Sequence, residues 1–179
     1  MSPRFAKWIF TAVVTLLWTV HACAADDPCA AFTWDVRHER ELFAKPAEAL
    51  VGGHTEAAAP PLKVDRLYEL TLAKQAEVSF ATKPGKAAMG DGDYAALVHL
   101  TVPAAGSWRI SLDSKLWVDV LADGGAIASS DFQGRSGCSA PHKIVEFVLP
   151  AGKVLTLQIS SGTAPTVKLS VTRAAARAP

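Results

Sequence analysis

The sequence predicts an all-β fold: an antiparallel, jelly-roll-like β-sandwich with one short N-terminal helix, set behind a signal peptide. Three observations predict it. From Arg66 onward apolar and polar residues alternate with period two in at least seven runs, the pattern of strands that bury one face and wet the other. Clusters of Gly, Pro and Asp divide those runs about every ten residues, the spacing of short sandwich strands. The connections are too short to hold the crossover helices that a parallel sheet uses.

Residues 1–24 read as a Sec-type signal peptide. Arg4 and Lys7 lead into the apolar run from Ile9 to Val20, and Ala22-Cys23-Ala24 offers small residues at a cut site. The run is about 12 residues, shorter than the roughly 20 of a spanning helix. A mature chain without a transmembrane segment, periplasmic or secreted, is therefore expected. Val20-His21-Ala22-Cys23 loosely resembles a lipobox, although His21 fits it poorly. The alternative is a lipid anchor at Cys23.

Cutting after Ala24 leaves about 155 residues, enough for one domain with its own core. Loss of Arg4 and Lys7 takes the basic count from 18 to 16 against 17 acidic residues, a net charge of −1. Basic residues are scattered singly, so neither nucleic acid nor an anionic membrane is an expected partner. Of the 3 cysteines, Cys29 and Cys138 remain in the mature chain. In an oxidising compartment they predict a disulfide. The loop it closes, about 110 residues, has a chain-entropy value of about 4–5 kcal/mol. The alternative makes Cys138 and His142 ligands of a blue-copper type of loop, which lacks a second nearby His and a following Met.

The elements follow in order. Residues 25–63 form an N-terminal segment. Asp35 is a helix cap, the helix runs from Val36 to about Ala44, and Pro46 stops it. An Arg37–Glu41 pair is expected on its face. The helix reads as solvated; alternatively, His38 and Glu39 rim a site that moves protons. Residues 51–63, with Gly52-Gly53, three alanines and Pro60-Pro61, read as a mobile linker. Residues 64–173 form the sandwich. Its inward sets are Tyr68, Leu70 and Leu72; Ala76, Val78 and Phe80; Tyr94, Ala96, Val98, Leu100 and Val102; Trp108, Ile110 and Leu112; Leu116, Val118 and Val120; Val145, Phe147 and Leu149; Leu155, Leu157 and Ile159; and Val167, Leu169 and Val171. Residues 174–179 are a tail expected to fray.

The stretch from Val102 to Leu112 with its Pro103-Ala-Ala-Gly106 turn, Leu116-Trp-Val-Asp-Val-Leu121, and Phe147-Val-Leu-Pro-Ala-Gly152 resemble the bacterial pre-peptidase C-terminal family over about residues 94–173. That resemblance implies a secreted β-sandwich module that accompanies an enzyme without doing chemistry itself. Here a single Asp, Asp119, stands where the family often has two, and the expectation is a stand-alone protein without a protease domain upstream.

Signatures of chemistry are sparse. Gly134-Arg-Ser-Gly137-Cys138 puts Cys where a nucleophile elbow needs Gly. The four mature histidines, His38, His54, His99 and His142, show no metal-ligand spacing. Asp91-Gly92-Asp93 offers two carboxylates, too few for calcium, and reads as a turn. No cofactor and no metal are expected.

Binding has better candidates. Alternation turns Trp117 outward beside Asp119, a pairing suited to sugar stacking with a hydroxyl hydrogen bond. The competing reading covers Trp117 with Phe32 and Trp34, brought over by the disulfide. The loop from Ser129 to His142 is the longest polar insertion between late strands, and rigid sandwiches carry function on loops. Asp131, Arg135 and His142 are its candidate polar contacts. The expectation is an extracytoplasmic, non-enzymatic binding module for an envelope protein or glycan. The alternative is a small secreted enzyme, possibly metal-dependent, with His38 and Glu39 packed near the Asp131–His142 loop.

Overall fold

A computed structural model describes residues 27–86 and 93–175. The signal peptide, Cys23, most of the Asp91–Asp93 turn and the last four residues of the tail lie outside the described residues. The rest forms two six-stranded sheets packed face to face. The first runs in the order β1 (Glu48–Val51), β3 (Leu67–Thr71), β12 (Thr166–Arg173), β6 (Gly106–Leu112), β10 (Lys143–Leu149) and β9 (Ser129–Gly134). The second runs β2 (Pro61–Leu62), β5 (Tyr94–Leu100), β11 (Leu155–Gly162), β7 (Trp117–Ala122) and β8 (Gly125–Ile127), with β4 (Ala73–Lys74) also on β5. Among the described residues no helix is long and apolar enough to cross a membrane.

Between the sheets lie the residues that period-two alternation turned inward. Leu70, Val98, Ile110, Phe147, Leu157 and Leu169 are fully buried in one cluster. Trp108 belongs to it, and its indole N–H donates to the Ala104 carbonyl at 3.0 Å, so the one polar atom of that side chain is satisfied inside.

The sheets are mixed, where antiparallel ones were expected. β1 pairs with β3, and β2 with β5, in parallel. The crossing that a helix makes in an α/β protein is made here by a strand of the opposite sheet, since β1, β2 and β3 alternate between the two. The supposed linker is this crossing. Gly52 donates its N–H to Thr71 of β3, while Gly53 exchanges both backbone hydrogen bonds with Leu97 of β5. Two residues thus step from one sheet to the other. A Cβ on Gly52 would fall 2.3 Å from the Ala96 Cβ, and one on Gly53 would fall 2.7 Å from the Ala58 carbonyl oxygen. Only glycine permits that approach.

Both outer faces are covered, which explains why outward residues such as Leu97 and Ser111 are also buried. Over the second sheet lie residues 53–59 and 75–86. Ala76, Val78 and Phe80, read as a strand, belong to this cover: Gln75–Glu77 is a 3-10 turn, and Val78 packs on Ala59, Ala95 and Leu97. The Gln158 side-chain amide accepts from Thr82 N–H at 3.1 Å and donates to Thr82 O at 3.2 Å.

The N-terminal segment covers the first sheet. Its helix α1 spans Arg37–Phe43, and Asp35 Oδ1 accepts the Arg37 N–H at 3.1 Å at the helix start. Arg37 pairs with Asp35 rather than with Glu41. The helix is not solvated on all sides, since Leu42, Phe43 and Glu39 are buried. Phe32 and Val36 pack on Ile144 of β10, and the Cys29–Cys138 disulfide, with Cα atoms 5.1 Å apart, ties the segment down. Ala174 donates to Ser107 O, so the tail's first residue is held.

At the centre of that layer is Arg109, 2% exposed. It meets Glu146 Oε2 at 3.3 Å and Glu39 Oε1 at 3.4 Å, and donates to Asp35 O at 2.8 Å. The Trp34 ring lies 4.7 Å beneath its guanidinium, and Glu39 also accepts from Thr172 Oγ1 at 2.9 Å. Residues 129–134, read as part of a loop, are the edge strand β9. Its side chains are mostly exposed, so no period-two signal marks it.

Two stability outcomes are expected in urea denaturation. Gly52→Ala should cost about 1–3 kcal/mol by overpacking against Ala96. Arg109→Met should cost about 3–5 kcal/mol, because Glu39 and Glu146 lose their shared cation inside the protein. A loss below about 1 kcal/mol for Arg109→Met would mean that the layer is held chiefly by its apolar contacts.

Candidate functional site: a cationic, aromatic cleft at one end of the sandwich

β7 and β10 begin, and β9 and β11 finish, at the same end of the sandwich. Between them opens a cleft of about 390 Å³ whose walls include Trp117, Phe132, Arg135, His142, Lys143 and Ser161. Three of the residues nominated from sequence, Trp117, Arg135 and His142, therefore line one cavity. Asp119 and Asp131 do not line it.

Trp117 is half-buried on the outer face of the second sheet. Its indole N–H donates to Asp119 Oδ1 at 2.8 Å, and Asp119 Oδ2 accepts the Gly85 N–H at 3.0 Å. Asp119 thus fixes the angle of the ring and pins residues 85–86 over it. The layer beside Trp117 comes from this stretch and not from Phe32 and Trp34, which cover the opposite sheet. Lys143 lies with Nζ 5.5 Å from the centre of the Trp117 ring and donates to Leu116 O at 2.8 Å. Burial, and then the charges of Lys86 and Lys115, push the Lys143 ammonium below its usual range.

Phe132, within β9, also lines the cleft and stands 67% exposed, an apolar ring kept in water. Asp131, one residue earlier, pairs in register with Glu146 on the other face of the strand, and its Oδ1 accepts the Phe132 N–H at 2.8 Å. Arg135 spends its donors on the fold: Nε on Ala31 O at 2.6 Å, Nη1 on Gly134 O at 2.8 Å and Nη2 on Gln133 Oε1 at 3.2 Å. Its guanidinium also lies 5.2 Å from the Phe32 ring centre. His142 faces the Cys138 carbonyl through Nδ1 at 3.2 Å. With its sulfur in the disulfide, Cys138 has no thiolate to give a metal. Among the described residues no three His, Cys, Asp or Glu side chains converge as a metal set.

Ser161 was missed by sequence reasoning. It sits where the β11 register shifts between Ile159 and Gly162, with φ of 57°, a left-handed conformation that costs a non-glycine residue roughly 1–2 kcal/mol. Its N–H donates to Gln75 Oε1 at 2.8 Å, but its buried hydroxyl finds no partner in the protein. Lys86, Lys115 and Lys143 were missed too, because they stand 28 or more positions apart in sequence and meet only in the fold.

A second, shallower depression of about 370 Å³ is lined by Asp35, Arg37, His38, Glu39, Arg109 and Arg173 among others. Here His38 Nε2 meets Asp65 Oδ1 at 2.9 Å. Hydrogen bonds from Arg37 hold the Asp35 carboxyl down at about 2. No residue lines both depressions, so His38 and Glu39 do not share a cavity with the Asp131–His142 loop.

The fold and the bridge define the class: a β-sandwich domain stapled by one disulfide. No family model and no curated protein sequence matches the chain. Among solved structures, the β-glucosidase of Kluyveromyces marxianus in complex with glucose is similar over 47% of this chain and 10% of its own length, at 15% identity and a TM-score of 0.33. The selenomethionine-labelled form of the same enzyme gives 15% identity and a TM-score of 0.32 over 47% of this chain and 11% of its own. The chain thus spans about a tenth of the proteins it resembles, and the likeness assigns no family.

Asp119→Ala should leave the Trp117 indole and the Gly85 N–H without their acceptor. The expected cost is about 1–3 kcal/mol in urea denaturation, with a red shift of tryptophan emission as residues 85–86 lift away. An unchanged emission maximum would show that Asp119 does not hold this wall.

Proposed function

We propose that the protein is an extracytoplasmic, non-catalytic binding module that takes a glycan of the cell envelope into the cleft between Trp117 and Phe132. The observation that carries this reading is the pair of aromatic rings, Trp117 and Phe132, lining one cavity together with Ser161, whose buried hydroxyl has no partner in the protein. Aromatic faces stack on the apolar faces of sugar rings, and a few convergent polar groups fix orientation. The volume lies in the range of small-molecule sites, about 300–1,000 Å³. The Cys29–Cys138 bridge supports an oxidising compartment, as does the charged, then apolar, leader. The resemblance to the pre-peptidase modules, which accompany enzymes without doing chemistry, supports a non-catalytic role. The reading requires no cofactor.

An envelope protein as partner is the second reading, and the exposed Phe132 on an edge strand is what favours it. The two separate in one experiment. Oligosaccharide fractions released from bacterial envelopes are titrated calorimetrically into the purified mature protein, alongside solubilised envelope proteins. Binding of a saccharide fraction that weakens at least about tenfold in Trp117→Ala, with the thermal midpoint retained, is the expected result. Saccharide binding unaltered by Trp117→Ala and by Phe132→Ala would overturn the cleft as its site.

A further inference from the structure

We propose that the ligand of this cleft is an acidic saccharide: its carboxylate or phosphate is held by Lys86, Lys115 and Lys143, with the Ser161 hydroxyl donating, while its ring lies against Trp117. The inference rests on the cleft being the binding site and adds the charge of what enters it.

Four cations, Lys86, Lys115, Lys143 and Arg135, line the cleft, and no Asp or Glu does. The chain as a whole carries 18 basic and 17 acidic residues, so this excess is local. Elsewhere five cations, Arg37, Arg40, Arg66, Arg109 and Lys153, each reach a carboxylate, and the cations that do not, such as Lys45 and Lys168, do not line this cleft. Among the described residues the three lysines of the cleft make no ion pair within 4.0 Å. Arg135 gives its hydrogen bonds to neutral oxygens only, so its charge too stands uncompensated. Like charges crowded into a partly buried space oppose one another; burial first, and then the charges of Lys86 and Lys115, lower the Lys143 pKa. An anion would relieve that repulsion.

Ser161 gives a second, independent reason. A left-handed non-glycine residue is costly, and strain of this kind collects at ligand sites. A buried hydroxyl without a partner is costly as well. Both meet in a residue that lines the cleft. A hydroxyl and ammonium groups lining the same cavity match an oxyanion, which accepts several short hydrogen bonds at once. The small volume and the Trp117 face favour one acidic sugar residue over an extended acidic peptide, which would need a longer groove.

The test is calorimetric and uses paired probes on the whole mature protein. Trigalacturonate is compared with its fully methyl-esterified form, which keeps the rings and removes the charge. Mannose 6-phosphate is compared with mannose, which separates a phosphate from a carboxylate source, and hexaglutamate tests a peptide. The expected result is that at least one acidic sugar binds about tenfold or more tighter than its neutral partner, weakens with added salt, and loses at least about tenfold in Lys86→Gln/Lys115→Gln. That double variant alters partly or fully exposed side chains, so it should keep the wild-type thermal midpoint. Ser161→Ala reports on the hydroxyl without introducing bulk. Equal binding of charged and neutral sugars would overturn the acidic assignment while leaving the cleft as a glycan site. Tighter binding of hexaglutamate than of any saccharide, or no saccharide binding at all, would overturn both.

Discussion

A guanidinium buried in the middle of a sheet cannot be left without anions, and most of the first sheet's outer layer answers to that requirement at Arg109. Glu146 comes from the adjoining strand at the same register position. The remaining contacts, from Glu39, the Asp35 carbonyl and the Trp34 ring, come from the N-terminal segment. Breaking a buried pair costs far more than forming it gains, so the segment's place is specified even where its apolar contacts are modest. The same segment reaches the far loop through Ala31 and Thr33, which meet Arg135 and Gln133, and through the disulfide. A wall of the cleft is thereby set by a layer anchored at a different point of the sheet.

The second sheet has the complementary solution. Its cover is not stapled covalently but pinned by side chains that reach up from the strands: Gln158 to Thr82, Thr156 to Glu56 and Asp119 to Gly85. Asp119 links this cover to the wall of the cleft because its other oxygen holds Trp117. The step at Gly52 and Gly53 lets the segments before β3 serve both sheets, so each edge strand made there is short and leaves little bare backbone for unwanted pairing.

Much of this fold was legible in the sequence. Inward residues from Tyr68 to Val171 follow the period-two pattern because they fill one interior, and Cys29 and Cys138 are the only cysteines left once Cys23 is assigned to the leader. What could not be read lies on the outer faces. Arg109, Ser111 and Gln158 look solvated in a two-layer sandwich, and only a third layer makes them buried; alternation reports which face a residue takes, not what later covers it. For the same reason Val78 resembled a strand residue and Glu39 a surface helix residue. Trp117, Arg135 and His142 were found as a polar or aromatic residue beside a loop. Lys86, Lys115 and Lys143 each look like an ordinary surface lysine, and Ser161 like part of a turn, because their meeting depends on where four strands end.

The layer over the first sheet is also made in an awkward order. Glu39 and Thr172 stand 133 positions apart, and β12, which carries Thr172, inserts between β3 and β6. Until β12 is synthesised the first sheet exists as two halves without a common strand, and Trp34, Phe32 and Val36 have no finished surface to settle on. Pairing at such separation is slow to form. The nascent chain therefore carries Phe32 and Trp34 uncovered through nearly the whole of its synthesis, which makes them the natural handhold for any chaperone that escorts it.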